Sequence, residues 1–146
     1  MKRQILFLCT GNYYRSRYAE VLFNSRARKV GLAWRAFSRG LAEKGSPENV
    51  GPISPIALQA LLARNIELEG HDRLPISCSA ADFEMADLII ALKDDEHRPM
   101  VGRRFPEIRS RVEYWEVDDV AVAEPATALA LIDERVDGLL AQLRSS

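Results

Sequence analysis

Residues 4–8, QILFL, make an uninterrupted apolar run of the kind a buried strand carries. CTGNYYRS separates that run from apolar positions at helical spacing, Tyr18, Val21, Leu22 and Ala27. The predicted order is strand, loop, helix. Residues 33–38 predict a second short strand ending at Arg39-Gly40, after which GLAEKGSPENVGPISP is rich in glycine and proline and reads as loop. A loop of that length inside a small domain points to function. Ser54-Pro55 then opens a helix, with Ser54 as N-cap and Pro55 at the first helical position, and Ile56, Leu58, Leu61 and Leu62 as its apolar face.

Ser79 and Asp82 mark another helix start, and residues 88–92, LIIAL, form a third strand without polar alternation. The polar stretch over residues 93–109 predicts a short helix, residues 112–117 a fourth strand, and residues 125–143 an amphipathic last helix. Apolar positions of that helix include Leu129, Leu131, Ile132, Val136, Leu139 and Leu140. Strands alternating with helices imply parallel pairing through right-handed crossovers. The expected fold is α/β, a doubly wound four-stranded parallel sheet with helices on both faces. Ligands in such sheets bind beyond the carboxyl ends of the strands, near the switch in strand order. The first strand ends at Cys9, so the loop after it is the site candidate.

Composition narrows the classes. At 146 residues, 47% hydrophobic and 28% charged, the chain has the profile of one domain over residues 1–146 with a core of its own. A formal net charge of -1 supplies no field to hold nucleic acid or an anionic membrane, so any affinity for anions has to be local. The apolar run in MKRQILFLCTGN is too short for a signal-peptide core, and no stretch approaches the roughly 18 apolar residues of a membrane span. A cytoplasmic protein is expected. Cys9 and Cys78 read as free thiols, and together with His71 and His97 they show no ligand spacing, so neither metal nor cofactor is expected. Oligomeric state stays open.

Cys9 and Arg15 stand in C-x5-R spacing, which gains weight from lying between a buried strand and a helix. A loop of that size can curl so that its N–H groups converge, and the helix behind adds the positive end of its dipole. Gly11 and Asn12 permit the curl, because glycine takes positive φ freely and asparagine tolerates it. The result is an anion cradle. A cysteine at its mouth has its nucleophilic thiolate stabilised by the N–H groups and Arg15, and Ser16 can donate a further hydrogen bond to the sulfur. Arg15 suits two equatorial oxygens of a phosphate dianion.

CTGNYYRS resembles the signature loop of the low-molecular-weight protein tyrosine phosphatases. The likeness continues through Ser38-Arg39-Gly40, Gly51-x-x-x-Pro55, DLIIAL and YWEVDD, in order along most of the chain. It implies a phosphate-binding loop after the first strand and hydrolysis of a phosphorylated protein or small aryl phosphate through a cysteinyl-phosphate. Cys9 would be the nucleophile and Arg15 the phosphate ligand. Thr10, Gly11, Asn12, Tyr13, Tyr14, Ser16 and Ser38 would form or shape the loop, and the acid would come from Asp118-Asp119, with Asp119 in register. A histidine supporting the loop network is common in the family near His71.

The departures are specific. Tyr14 stands where members carry a second cysteine, so the protective disulfide cannot form and Cys9 is open to irreversible oxidation. Arg17 replaces a proline, and Asp119-Val120-Ala121-Val122 replaces Asp-Pro and aromatics. Tyr13 occupies the place where members acting on phosphoarginine resemble one another in carrying threonine, which implies that phosphoarginine is excluded. Tyr13 reads equally as an aromatic wall or as packing, and Tyr14 as packing. Two alternatives remain open. A non-catalytic phosphate or phosphopeptide module would keep the cradle without turnover, and an arsenate reductase would need resolving cysteines near the third strand's end, where Lys93 stands.

Overall fold

The computed structural model describes residues 2–43, 49–119 and 123–145. Four parallel strands, β1 (Arg3–Cys9), β2 (Trp34–Gly40), β3 (Leu88–Ala91) and β4 (Val112–Tyr114), lie in the order β2-β1-β3-β4. The helices are α1 (Arg15–Lys29), α2 (Pro55–Ala63), α3 (Ala80–Met85), α4 (Asp94–Arg104) and α5 (Pro125–Arg144), with a 3-10 turn at Pro106–Arg111. From β1 the chain passes to one neighbour, β2, and then crosses to the other, β3. The switch in strand order therefore falls beside the carboxyl end of β1, at Cys9.

Strand alternation divides the core. Ile5, Phe7 and Cys9 of β1 face a cluster built with Tyr18, Leu22 and Phe23 of α1 and Ile132, Val136 and Leu139 of α5. Leu6 and Leu8 face a second cluster with Phe83 of α3, Val101 of α4 and Phe105. Burying each large side chain fully is worth about 1.5–3 kcal/mol. With both faces covered, β1 needs the unbroken apolar run that it has.

Three elements differ from expectation. In α2, Ser54 does cap the helix, accepting from the Ile56 N–H at 3.2 Å with Pro55 at its start, but the buried residues are Ala57 and Leu61. Ile56 and Leu62 are 43% and 49% exposed, so the apolar face is rotated from the one predicted. The polar stretch after β3 makes α4 through Pro99 and then the 3-10 turn, more helix than expected. The fourth strand stops at Tyr114, because beyond it Glu116 bridges back antiparallel to Lys93 and leaves the parallel ladder. Among the described residues, no helix is long and apolar enough to cross a membrane.

Candidate active site

The loop from Cys9 to α1 bends at Asn12, where φ is 52°. Gly11 takes no positive φ. Its missing side chain serves a close approach instead, since a Cβ there would lie 3.1 Å from Asn49 Nδ2. Gly40, paired with Cys9, meets the same loop more tightly, and a Cβ would fall 2.8 Å from the Thr10 carbonyl oxygen. Strand β2 can run past the loop only as glycine.

Asn12 is fully buried and joins four partners. Its Nδ2 donates to Ser16 Oγ and Ser38 Oγ, each at 2.9 Å, and its Oδ1 accepts from Arg73 Nη1 at 3.0 Å and the Ile76 N–H at 3.1 Å. These contacts fix the amide orientation. Cys9 is buried with Sγ 2.9 Å from Ser16 Oγ. Because Ser16 Oγ already accepts from Asn12, its own proton is free to point at the sulfur, as a thiolate requires. Ser38 Oγ donates in turn to Glu20 Oε1 at 2.6 Å, and Arg73 Nη2 donates to both Ser38 Oγ and Glu20. Arg73 thus takes the supporting place near which a histidine was expected. His71 does not join the network, and its buried Nδ1 has no hydrogen-bond partner among the described residues.

Arg15 is 2% exposed. Its Nη1 and Nη2 donate to Glu96 Oε1 and Oε2 at 3.0 and 2.6 Å, and Nη1 also donates to the Val117 carbonyl at 2.9 Å. Glu96 holds the guanidinium end-on, and Nε takes part in none of these bonds. The side-on edge is the one a phosphate would meet. Burial disfavours the Arg15 charge, but the Glu96 hydrogen bond and the charges of Cys9, Glu96 and Asp119 outweigh it and raise the pKa.

Burial likewise works against the Glu96 carboxylate, yet hydrogen bonds from His97, Arg15 and Thr10 hold its pKa well below the ordinary carboxylate range. Thr10 Oγ1 donates to Glu96 Oε2 at 2.5 Å, and His97 Nε2 lies 3.1 Å from the same oxygen. The Lys93 N–H donates to His97 Nδ1 at 3.0 Å, which leaves the ring proton on Nε2, aimed at Glu96.

Asp119 Oδ2 lies 3.7 Å from Arg15 Nη2, whereas Asp118 Oδ1 is 3.0 Å from Lys93 Nζ. The two acids face opposite ways. Tyr14 is buried among apolar side chains; burial, followed by the Asp119 charge, pushes its phenol up to about 12. Tyr13 is half-buried, its hydroxyl donating to the Val50 carbonyl at 2.6 Å. Residues 120–122, where the chain departs from the resemblance, lie outside the described residues.

The loop therefore gathers Cys9, Thr10, Gly11, Asn12, Arg15, Ser16 and Ser38, and brings Asp119 to Arg15. Sequence reasoning missed Glu96, His97, Arg73, Glu20, Lys93 and the buried Arg17. Arg17 had a signal, an arginine three residues after Tyr14 and four before Val21 on an apolar helical stripe. Glu96 had a weaker one, an acid just beyond the strand next to β1.

Comparison with known proteins agrees with this geometry. Residues 4–146 match the family model described as low molecular weight phosphotyrosine protein phosphatase. The protein-arginine-phosphatase of Bacillus subtilis (strain 168) is 35% identical over 108 residues, 74% of this chain and 67% of that protein. An arsenate reductase of Brevibacillus brevis is 32% identical over 123 residues, 84% of this chain and 81% of that protein. The crystal structure of the low molecular weight protein tyrosine phosphatase from T. tengcongensis superposes with a TM-score of 0.76 at 26% identity, covering 99% of both chains. With a phosphate-type loop after β1 at the switch of a four-stranded parallel sheet, and a family match that begins in β1 and runs to the last residue, this chain belongs to the low molecular weight phosphotyrosine protein phosphatases.

Proposed function

We propose that this member of the family is a cytoplasmic enzyme that hydrolyses protein phosphotyrosine through a cysteinyl-phosphate intermediate. Cys9 Sγ attacks phosphorus, and the bond to the phenolic oxygen breaks as Asp119 gives that oxygen its proton. Asp119 then takes a proton from water, whose oxygen attacks phosphorus. The S–P bond breaks, inorganic phosphate leaves and the sulfur recovers its electron pair beside the Ser16 hydroxyl. Arg15 holds two equatorial oxygens throughout. The observation that carries this reading is the meeting of Arg15 and Asp119, from opposite ends of the chain, beside a sulfur that Ser16 is placed to stabilise.

The same residues favour hydrolysis over the other activities named among the relatives. A reductase relay needs a second reactive thiol, but Cys78 is buried and burial pushes its thiol up to about 11. Lys93 stands at the end of β3, engaged with Glu116 and Asp118. Against phosphoarginine stands Tyr13, whose ring is tied across the loop to Val50. The test is turnover of phosphotyrosine and phosphoarginine peptides side by side, without added metal. Phosphotyrosine should be hydrolysed in preference, with competitive inhibition by vanadate and no turnover by Cys9→Ser. Preferential phosphoarginine hydrolysis would reverse the substrate assignment, and full activity of Cys9→Ser would end the mechanism.

A further inference from the structure

Residues 115–119 leave the sheet and cross the carboxyl ends of β3 and β1. The Trp115 N–H donates to the Ala91 carbonyl at 2.9 Å, and the Val117 N–H to the Leu92 carbonyl at 2.8 Å. Along this stretch the side chains divide between two sides. Val117 is fully buried, and its carbonyl accepts from Arg15. Glu116 and Asp118, two residues apart, both reach Lys93: Nζ lies 3.0 Å from Glu116 Oε2 and 3.0 Å from Asp118 Oδ1. The main chains of Lys93 and Glu116 also bridge antiparallel.

Lys93 is held in turn. It follows β3 directly, its backbone is extended (φ -153°, ψ 122°), and its N–H is bonded to His97 Nδ1. Its side chain is only 17% exposed, against 54% for Glu116 and 37% for Asp118. A compact ammonium with three donors suits two carboxylates approaching from neighbouring positions on one strand. Engaging Asp118 there leaves Asp119 to project to the other side, where it stands 3.7 Å from Arg15.

We propose that Lys93 is a positioning residue for the general acid: by clamping Glu116 and Asp118 it sets which of two adjacent aspartates faces the phosphate loop. Lys93 touches neither substrate nor the reacting atoms and acts only through Asp119. The inference rests on the reading of Asp119 as the acid.

The test compares phenyl phosphate, whose leaving group needs a proton, with 2,4-dinitrophenyl phosphate, whose leaving group does not. Lys93→Met should lower kcat for phenyl phosphate by roughly 10-fold, part of the full general-acid factor, and change the dinitrophenyl ester by less than about 2-fold. Lys93→Arg should recover most of the loss. On an Asp119→Asn background, Lys93→Met should add nothing, since both act through one group. Equal losses on both esters, or a fall in Tm with the ratio unchanged, would make Lys93 a structural residue and overturn the proposal while leaving the Asp119 reading intact. If Asp119→Asn itself shows no leaving-group dependence, Asp119 is not the acid and the proposal falls with it, a result distinct from the first.

Discussion

Adjacent acids differ here by their partners, and that difference makes them separable by measurement. Asp119 is near Arg15 and Asp118 is bound to Lys93. Asp119→Asn should slow phenyl phosphate by ~100-fold or more and an acidic phenol ester far less, because only the poorer leaving group needs its proton. Asp118→Asn should do little, since an amide oxygen still accepts from Lys93 and Glu116 remains bound. Leaving-group-dependent loss in Asp118→Asn alone would shift the assignment by one residue. Glu96 gives a pH signature. Its folded pKa lies below the unfolded value of about 4.3, so the unfolded chain takes the proton first. The stability it contributes is full above roughly pH 5 and is lost as pH falls through and below about 4.3. The stability difference between wild type and Glu96→Gln, from urea melts between neutral and acidic pH, should narrow over that window; parallel curves would mean that Glu96 is not tied to Arg15 in solution. The bend at Asn12 was legible because backbone preference is local, and so was the thiol–hydroxyl neighbourhood of Cys9 and Ser16. Glu96, His97 and Arg73 were not, because each reaches the loop from a distant segment and carries no signature of its own.

The elements were read well where burial is symmetric and less well where it is not. β1 and β3 are covered on both faces, so their apolar runs are unambiguous. α2 is short and rests on α1 and α5 with Ala57 and Leu61, and four apolar residues in so short a helix did not say which would face inward. β4 was read too long because YWEV looks strand-like, while its course is set by Lys93. Arg17 shows an element joined to loops by one side chain. It is fully buried in α1, and its Nη1 donates to the carbonyls of Pro52 and Arg73 and its Nη2 to that of Gly70. Burial, then the Arg73 charge, lowers its pKa to about 10, which leaves it charged at neutral pH. Arg17→Met keeps the apolar stem but strands three carbonyls, and should lower the unfolding free energy by about 2–4 kcal/mol. Calorimetry should show this as a fall of roughly 6–12 °C in Tm. An unchanged Tm would mean that water replaces the guanidinium freely.

At the scale of the molecule, strand order does the work. Because β1 has β2 on one side and β3 on the other, the chain segments after all three strands converge around Cys9: the loop itself, Ser38 and Gly40 from β2, and Lys93, Glu96 and His97 beyond β3. The alternation of strand and helix patterns made this topology legible, and with it the place of the site. The pairing partners of that site were illegible, since they depend on the sheet's register. α1, α2 and α5 are stitched on the opposite side by Asp133, which accepts from Tyr18 and Arg64. The central claim is that this scaffold makes Cys9 a nucleophile that carries the phosphoryl group. The most direct measurement is the intact mass of enzyme quenched in acid during turnover of an aryl phosphate, with peptide mapping. The account predicts a gain of one phosphoryl group on Cys9, enriched in Asp119→Asn when the substrate is an acidic phenol ester, and no gain in Cys9→Ser, which turns nothing over. Turnover by Cys9→Ser at the wild-type rate, or a phosphoryl group mapped to another residue, would contradict it.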